Sequence, residues 1–369
     1  MMPGLGKRLG AVAALVPQGA RVCDVGTDHG YLAIYLKSSG IAEQVIATDI
    51  RVSPLENARA NILKSGASGI ETRLCDGLSG VSKGEADTVI IAGMGGEVIS
   101  GILASCDWVK EIPTVILQPT TSAEALRRFL AENGFEIKKE PAVSENGRVY
   151  SVILTCCTGN FTAVPEYTYY TGKLDPSDYD GLLSLKKQQK RFKNCADAVQ
   201  GIKGRENEWR KFKALAESIG NTADSAFRFA EVKSAEELAE CLEIRRRVFT
   251  EEKQIPENIE RDSLDLSCTL CSHFLLRHGN TAVGTLRCVK DNNTVKIQRF
   301  CILPEYRALG LASLMLTGLE TQYRQQGITK LSADAKYNVR AVYEKNGYSA
   351  VSEIFIEAGT GHIRMEKHI

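Results

Sequence analysis

The sequence predicts an α/β chain that begins with a mostly parallel, doubly wound sheet. From about residue 20 to 155, apolar β-branched runs alternate with amphipathic stretches, and this alternation is the pattern of successive βαβ units. The runs are ARVCDVG, QVIATDI, ADTVIIAGM, TVILQP and VYSVILTCC, and the stretches between them include SPLENARANILKSG and SAEALRRFLAENG. The chain has 369 residues, more than one ordinary domain holds, so we expect two or three compact units.

Two changes in composition mark the boundaries of these units. After CCTGN, turn formers and tyrosines become frequent, and the stretch from Leu182 to Gly220 then shows helical periodicity with basic faces. Beyond residues 221–227, strands and helices begin again in a different order. We therefore predict a doubly wound domain at 1–160, a helical basic appendage at 161–222 and a further domain at 226–369.

Composition limits the class of protein. Hydrophobic residues make up 43% and charged residues 25% of the chain, as in ordinary globular proteins. The net charge is only +1, so affinity for nucleic acid would require local clusters of charge. No stretch predicts a membrane span or an export signal, and the 11 cysteines favour free thiols in the cytoplasm. Cys268 and Cys271 form a lone CxxC pair, which reads as the start of a strand, and we predict no metal site.

A glycine loop follows the first strand and suggests a nucleoside-bearing cofactor. The strand ends in Asp24, and Gly26 and Gly30 then build a tight turn into a helix. Asp49 ends the next strand, where a carboxylate can accept hydrogen bonds from ribose hydroxyls. Asp76 follows a third strand and could hold an adenine amino group, although Asp49 and Asp76 could instead cap helices.

Three acids at strand ends, with no GxGxxG motif and no basic residue in the loop, favour S-adenosylmethionine over NAD. We expect this cofactor to contact the loop and the neighbouring strand ends: Asp24, Gly26, Thr27, Gly30, Asp49, Ile50, Asp76, Gly77, Leu78 and Gly93.

Several motifs of the first part form a specific set. They are DVGTDHGYLAIYL, ATDI followed by PLENARAN, RLCDGL, IAGMGGEVI, LQPTTSAEALRRFLAENGFEI and ENGRVYSVIL. Together they resemble the bacterial family of tRNA (adenine-22, N1)-methyltransferases over roughly residues 1–215. The resemblance implies a Rossmann-like methyltransferase core, a coiled-coil-like helical appendage, S-adenosylmethionine as cofactor and a tRNA adenine as methyl acceptor.

Asp28 and His29 stand at the mouth of the glycine loop. Adenine N1 carries a lone pair and no proton, so methyl transfer to it needs orientation more than a strong base. A carboxylate could accept a hydrogen bond from the exocyclic amine and stabilise the positive charge that develops on the ring. We therefore predict a substrate-side role for both residues, with contact to the cofactor tail or plain helix capping as the alternatives.

The turn Gly93-Met94-Gly95-Gly96 ends the fourth strand, where many amino-methyltransferases have an Asn/Asp-Pro-Pro-aromatic motif. Its small residues would let an adenine slide over the backbone, with Met94 as a soft wall. The alternative is that the glycines serve only a tight turn. Gln118 and Pro119, at the end of the next strand, could line the same pocket.

The middle segment is locally basic. Residues 186–213 contain ten Lys or Arg against three acids, an excess that could neutralise tRNA phosphates. A solvated helical face is the alternative. The residues predicted to contact RNA are Lys186, Lys187, Lys190, Arg191, Lys193, Arg210 and Lys211.

The last part contains KIQRFCILPEYRALGLASLML, which reads as a strand, a proline turn and a helix start. Backbone amides at such a start can hold a pyrophosphate, with Arg307 assisting. This segment and NVRAVYEKNGY resemble the Gcn5-related N-acetyltransferase family over about residues 227–369. The resemblance implies an α+β fold and acetyl-coenzyme A, with contacts from Ile302, Arg307, Leu309, Gly310, Leu311, Ala312 and Asn338.

The same resemblance makes Tyr343 the expected general acid that returns a proton to the coenzyme A thiolate. Glu305 could be a general base or only a surface residue, and His362 in EAGTGHIRMEK is a lesser candidate. The acceptor is expected to be a small-molecule or peptide amine.

Taken together, these observations predict a bifunctional cytoplasmic enzyme with tRNA as a partner and no membrane association. They do not predict the oligomeric state. Two other interpretations remain: a methyltransferase acting on a small molecule or protein, and a tRNA-binding protein whose last domain senses coenzyme A.

Overall fold

The computed structural model describes residues 4–161, 164–357 and 359–369. It divides into two compact units, Met1–Asp224 and Ser225–Ile369. The predicted boundary between the doubly wound domain (1–160) and the helical appendage (161–222) stays a prediction, because both segments lie within the first unit.

The first unit contains nine strands and eight α-helices among its described residues. The strands are β1 Ala20–Val25, β2 Ala42–Asp49, β3 Ile70–Leu74, β4 Thr88–Gly95, β5 Thr114–Thr121, β6 Phe135–Lys139, β7 Ala142–Glu145, β8 Arg148–Ser151 and β9 Ile153–Cys157. The helices are α1 Lys7–Ala13, α2 Tyr31–Ser38, α3 Val52–Ser65, α4 Gly96–Ala104, α5 Ala123–Glu132, α6 Thr168–Thr171, α7 Tyr179–Val199 and α8 Glu206–Asp224.

Seven of these strands form one sheet in the order β3-β2-β1-β4-β5-β9-β6. Strands β1 to β5 are parallel where they pair, and β9 is antiparallel to both β5 and β6. The strand order reverses between β1 and β4, so their carboxyl ends border a crevice of the kind that holds ligands in doubly wound sheets. The expected doubly wound architecture is confirmed.

The central strands contain continuous apolar runs because both faces of the sheet are buried. On β4, Val89 and Ile91 join one buried cluster, while Ile90 between them joins the other. This burial explains why β4 and its neighbours appear in the sequence as continuous apolar runs.

The helical appendage contacts the sheet domain at a buried ion pair of that domain. Arg127 of α5 donates from Nε and Nη2 to Glu140 Oε1 at 2.9 and 2.6 Å, and from Nη1 to the carbonyl of Tyr169 at 2.7 Å. The Arg127 and Glu140 side chains are 5% and 0% exposed. Such a pair is costly to break from one side, because the remaining charge stays buried.

The second unit contains an eight-stranded sheet in the order β10-β11-β12-β13-β14-β17-β15, with β16 paired to β17. Its strands are β10 Phe227–Glu231, β11 Ser272–His278, β12 Thr281–Asp291, β13 Thr294–Ile302, β14 Lys330–Lys336, β15 Ser349–Ala350, β16 Phe355–Glu357 and β17 Thr360–His368. Its α-helices are α9 Ala235–Arg245, α10 Glu257–Glu260, α11 Leu311–Gln325 and α12 Arg340–Lys345, and a π-helical segment, Arg246–Glu252, continues α9.

Strands β13 and β14 are the parallel pair of this sheet, and they separate part-way along. Their pairing runs from Thr294 with Lys330 to Ile297 with Ala333, whereas residues 298–302 and 334–336 lie beyond it. Arg299, at the point of separation, has a left-handed backbone with φ of 51°. The two strands therefore splay apart beside the turn into α11.

The CxxC segment differs from its interpretation. Strand β11 begins at Ser272, so Cys268 and Cys271 precede it in a turn and do not start the strand. All 11 cysteines lie in the described residues and are free thiols. No group of three or more potential metal ligands was found among the described residues, and no described helix has the length and apolarity of a membrane span.

Candidate functional site

A cavity of about 530 Å³ lies at the carboxyl ends of β1, β2 and β4. It brings together most of the residues predicted for the first module. The lining includes Asp24, Gly26, Thr27, Asp28, His29, Asp49, Ile50, Asp76, Gly77, Gly93 and Met94. Residues separated by up to 70 positions in the chain thus meet at the strand-order reversal.

Two predicted cofactor residues have other structural roles. The Leu78 side chain is 1% exposed and packs in the hydrophobic core of the sheet domain, outside the lining of this cavity. Gly30 is the N-cap of α2 with φ of 71°, and a Cβ there would lie 3.2 Å from the Ala58 side chain and 3.4 Å from its Cα. Gly30 therefore allows α2 to approach α3 closely.

Asp24 is a buried acid at the end of β1, with 4% exposure. The pKa of its carboxyl is raised to about 6, chiefly by burial; the hydrogen bond from Thr27 opposes this shift, and the neighbouring Asp49 adds to it. The Thr27 hydroxyl donates to Asp24 Oδ2 at 2.7 Å. A cationic group bound in the cavity would favour the ionised form of this carboxyl.

Asp49 connects the end of β2 to the glycine loop. Its Oδ1 accepts from the backbone N–H of Arg51 at 2.9 Å, and its Oδ2 accepts from the backbone N–H of Asp28 at 3.3 Å. The capping interpretation therefore describes part of its role. An ionised carboxylate has about four lone-pair positions, so further positions remain for ribose hydroxyls.

Asp28 and His29 form the rim of the cavity. Asp28 has a left-handed backbone with φ of 52°, and its Oδ2 lies 3.6 Å from His29 Nε2. Their side chains are 57% and 48% exposed, and the His29 ring stacks on Tyr31 at 5.5 Å. The rim thus presents a carboxylate and an imidazole to an incoming substrate.

The GMGG turn approaches the glycine loop from the opposite side. A Cβ on Gly26 would lie 2.2 Å from Met94 Cε, so glycine at position 26 is needed for the Met94 side chain to lie against the loop. Asp76 lies at the far end and also lines a second cavity of about 820 Å³ together with Trp108.

Sequence reasoning missed Arg8, which also lines the cavity. Its Nη1 donates to Oε1 of Gln118, a fully buried side chain whose Oε1 also accepts from the Gly93 N–H at 3.1 Å. Gln118 and Pro119 are therefore outside the cavity lining, and Gln118 lies behind the GMGG turn, where it contacts Arg8 and Gly93. Arg8 precedes the first strand, and no motif marks it.

The basic appendage needs one correction. Lys186 is 9% exposed and pairs with Asp224, so it is not available to a phosphate. Arg191 lies 3.3 Å from Glu124, and Lys211 lies 3.0 Å from Glu166. Both side chains are nevertheless exposed, as are those of the other residues predicted to contact RNA: Lys187, Lys190, Lys193 and Arg210.

In the second unit, the turn into α11 has the predicted shape. Gly310 is the N-cap with φ of 82°, and Ala308 has φ of 62°, so the chain turns sharply before the first amides of the helix. Arg307 already binds Glu252, with Nη1 2.7 Å from Oε1, and its Nε donates to the Ile302 carbonyl at 3.0 Å. A phosphate would have to share this guanidinium with Glu252.

Tyr343 lies in α12 and is 6% exposed. Its ring meets Phe300 and Tyr348 edge to face, at 6.5 and 5.5 Å. Burial raises its pKa, so the phenol is protonated at neutral pH but is a weaker acid than an exposed tyrosine. Asn338 is exposed in the turn after β14.

The two proton-acceptor candidates differ in their surroundings. Glu305 pairs with Arg247 at 3.0 Å and is 42% exposed, which favours the surface interpretation. His362 is 8% exposed, with Nδ1 2.9 Å from the Thr360 carbonyl. A carbonyl only accepts hydrogen bonds, so the proton of a neutral His362 belongs on Nδ1 and the Nε2 lone pair is available.

Comparisons with known proteins match each unit separately. A methyltransferase domain family matches residues 5–153, and an acetyltransferase (GNAT) domain family matches residues 248–369. The tRNA (adenine(22)-N(1))-methyltransferase of Bacillus subtilis is 39% identical over 152 residues, which are 41% of this chain and 64% of that protein. A putative acetyltransferase of the same organism is 36% identical over 136 residues, 37% of this chain and 92% of that protein.

A solved structure agrees with the first match. The putative tRNA (m1A22) methyltransferase Sp1610 of Streptococcus pneumoniae, in complex with S-adenosyl-L-methionine, superposes with a TM-score of 0.51 at 27% identity. The match covers 58% of this chain and 98% of that one.

Proposed function

We propose that this chain, whose first unit belongs to the family of tRNA (adenine-22, N1)-methyltransferases and whose second unit belongs to the Gcn5-related N-acetyltransferases, methylates N1 of an adenine in tRNA. The family resemblance and the fold class predicted from the sequence are confirmed. The observation that carries the proposal is the cavity in which the strand-end acids and the GMGG turn face each other.

The residues of the cavity fit S-adenosylmethionine. Asp49 has lone-pair positions left for two ribose hydroxyls, and exposed Asp76 and Ile50 border the place expected for the adenine ring. Buried Asp24 would be ionised beside a cationic tail. The cofactor, when bound, supplies an electrophilic methyl group on a sulfonium. The chain's own contribution is to hold the acceptor nitrogen in line with that methyl group.

Asp28 is placed to orient the base. Its half-exposed carboxylate lies on the rim beside His29, where it can accept a hydrogen bond from the exocyclic amine of adenine. That bond strengthens as positive charge develops on the ring, so it stabilises the transition state more than the ground state. Met94 and the small residues around it would form the wall against which the flat base lies.

The exposed cations of the appendage support tRNA as the acceptor. Lys187, Lys190, Lys193 and Arg210 lie on the surface of α7 and α8. Phosphate contacts of this kind release counterions, so we expect tRNA affinity to fall as salt rises. Removing three of these charges should reduce the slope of log K against log salt by about 2 to 3.

For the second unit we propose acetyl transfer from acetyl-coenzyme A to a small-molecule or peptide amine. The amides of Leu311 and Ala312 at the start of α11 would hold the pyrophosphate, and the separated ends of β13 and β14 would receive the pantetheine arm. Tyr343 would return the proton to the departing thiolate, and His362 Nε2 could take the proton of the attacking amine.

The first proposal is tested by incubating the full chain with unmodified tRNA and radiolabelled S-adenosylmethionine, followed by nucleoside analysis. We expect labelled 1-methyladenosine from the wild type and a loss of about 100-fold or more with Asp28→Asn, in the range seen when a transition-state contact is removed. Asp107→Asn, at a fully exposed side chain outside this cavity, is the matched control. Label in a protein or small amine and none in tRNA would overturn the proposal.

A further inference from the structure

Arg8 is held in one place by two neighbouring segments. The backbone N–H of Arg8 donates to Glu145 Oε1 at 3.2 Å, and Arg8 Nε lies 3.8 Å from Glu145 Oε2. A Cβ on Gly6 would contact Glu145 Oε1, so glycine at position 6 lets this carboxylate approach α1 closely without shifting. The Arg8 guanidinium also lies over the Tyr150 ring, 5.9 Å from its centre.

Gln118 orients the guanidinium of Arg8. The Gln118 Nε2 donates to the carbonyl of Pro119 at 2.8 Å, which directs its Oε1 towards Arg8 Nη1. A Cβ on Gly93 would lie 3.6 Å from the same Nη1. The guanidinium therefore stands directly behind the GMGG turn, and among the described residues no acceptor is paired with its Nη2.

Arg8 is a cation in a cavity that is lined mainly by acids. Four acids line it, Asp24, Asp28, Asp49 and Asp76, and they suit a ligand with positive charge. The permanent cations in the described lining are Arg8 and Arg51. The Arg51 side chain is 69% exposed and lies 3.7 Å from Asp49, whereas the Arg8 side chain is 23% exposed. Arg8 is thus the more deeply placed cation of the cavity.

We propose that Arg8 binds the α-carboxylate of the amino-acid tail of the cofactor, an inference that rests on the proposed function. A guanidinium binds a carboxylate with two parallel N–H donors, and Nη2 is directed to no other acceptor among the described residues. The sulfonium and the ammonium of the cofactor are positive and Arg8 would repel them, so the carboxylate is the one anionic group that the cofactor offers to this guanidinium.

An RNA phosphate is the other anion that could meet Arg8. The burial of three quarters of the Arg8 side chain and its contact with Gln118 behind the turn favour the cofactor. In this arrangement the glycine loop and the GMGG turn, which meet at Gly26 and Met94, would enclose the amino-acid tail, and α1 would close the cavity from behind with Arg8.

The test compares two ligands that differ by the tail. Calorimetric titration of the full chain with S-adenosylhomocysteine, which has the carboxylate, and with 5′-methylthioadenosine, which lacks the amino-acid portion, measures its contribution. Arg8→Gln should weaken binding of S-adenosylhomocysteine about 10- to 100-fold, the size expected for hydrogen bonds to a charged group. Binding of 5′-methylthioadenosine should change less than about 2-fold.

Two further variants make the result specific. Arg8→Lys keeps the charge and loses the planar fork, so it should recover only part of the affinity. Arg59→Gln removes an exposed charge of the same unit outside this cavity and should leave both ligands unaffected.

The other possible results separate failure of the carboxylate assignment from failure of the proposed function. An equal loss for both ligands, or unchanged affinity for S-adenosylhomocysteine, would overturn the carboxylate assignment. If that affinity is unchanged while tRNA binding weakens, the phosphate is the group that Arg8 meets. If neither ligand binds the wild-type chain, the proposed function itself fails.

Discussion

Replacing Asp24 with Asn should make the free protein more stable and its cofactor binding weaker. Asp24 is buried at the end of β1, and burial raises its pKa from 3.8 to about 6. A buried carboxylate that is ionised at neutral pH opposes folding, and an amide of nearly the same shape removes that charge. In the Asp24→Asn variant, the amide oxygen of the new side chain could still accept the Thr27 hydroxyl.

The magnitude follows from the raised pKa. The difference between 3.8 and about 6 corresponds to a penalty of about 3 kcal/mol at neutral pH. The folded unit binds this proton more tightly than the unfolded chain does. The penalty is therefore absent below pH 3.8, grows between 3.8 and about 6, and is complete above about 6. The raised pKa already includes the opposing hydrogen bond from Thr27, so Asp24→Asn should gain about 3 kcal/mol above that pH.

Urea unfolding followed by tryptophan fluorescence measures this gain. Both tryptophans of the chain, Trp108 and Trp209, lie in the first unit, so the signal reports on that unit alone. The free energies of unfolding of Asp24→Asn and wild type should converge near pH 4 and differ by about 3 kcal/mol near pH 8. In parallel, S-adenosylmethionine should bind the variant at least about 10-fold more weakly, because the carboxylate facing its cationic tail is lost.

Asp107→Asn, at an exposed acid of the same unit, is the control and should show no such pH-dependent gain. If Asp24→Asn is no more stable than wild type at any pH, the reasoning about the buried carboxylate is wrong.

Three further predictions concern the first unit. Asp49→Ala should weaken S-adenosylmethionine binding about 10- to 100-fold while coenzyme A binding, on the other unit, is unchanged in calorimetry; equal loss of both would indicate unfolding. Arg127→Ala leaves Glu140 buried without its cationic partner and should lower the free energy of unfolding, measured with urea, by about 3 to 5 kcal/mol. The double variant Arg127→Met with Glu140→Gln removes both charges and should lower this free energy much less. Gly30→Ala, at a left-handed position 3.2 Å from the Ala58 side chain, should cost about 1 to 3 kcal/mol, and a neutral result would contradict the close-packing role.

The doubly wound class of the first sheet was predictable because burial on both faces makes its central strands apolar runs that alternate with helices. The acids at the ends of β1 and β2 could be assigned to one site for a related reason. Carboxyl ends of parallel strands meet at one edge, and Asp24 and Asp49 come together in the cavity there.

Lys186 was wrongly assigned, although the sequence contains a signal against its exposure. The buried residues of α7 include Leu182, Leu185 and Phe192, and Lys186 lies four positions after the first of them, on the same apolar stripe. Counting basic residues along the segment concealed this position, while following the helical period would have identified it.

Arg8 and the Arg307 ion pair could not be predicted, because both depend on tertiary contacts. Arg8 meets Gln118 across 110 positions of the chain, and Arg307 meets Glu252 across 55. No local pattern of residues carries information about such partners.

The most direct measurement of the central claim is methylation of two tRNA transcripts that differ at one nucleotide. One has adenine at position 22, the position named for the Bacillus relative, and the other has guanine there with a compensating change to preserve pairing. We predict that labelled 1-methyladenosine appears in the first transcript at position 22 and is absent from the second. Equal labelling of both transcripts would contradict the position, and no label in either, with S-adenosylhomocysteine still bound by the chain, would contradict the assignment of tRNA as the substrate.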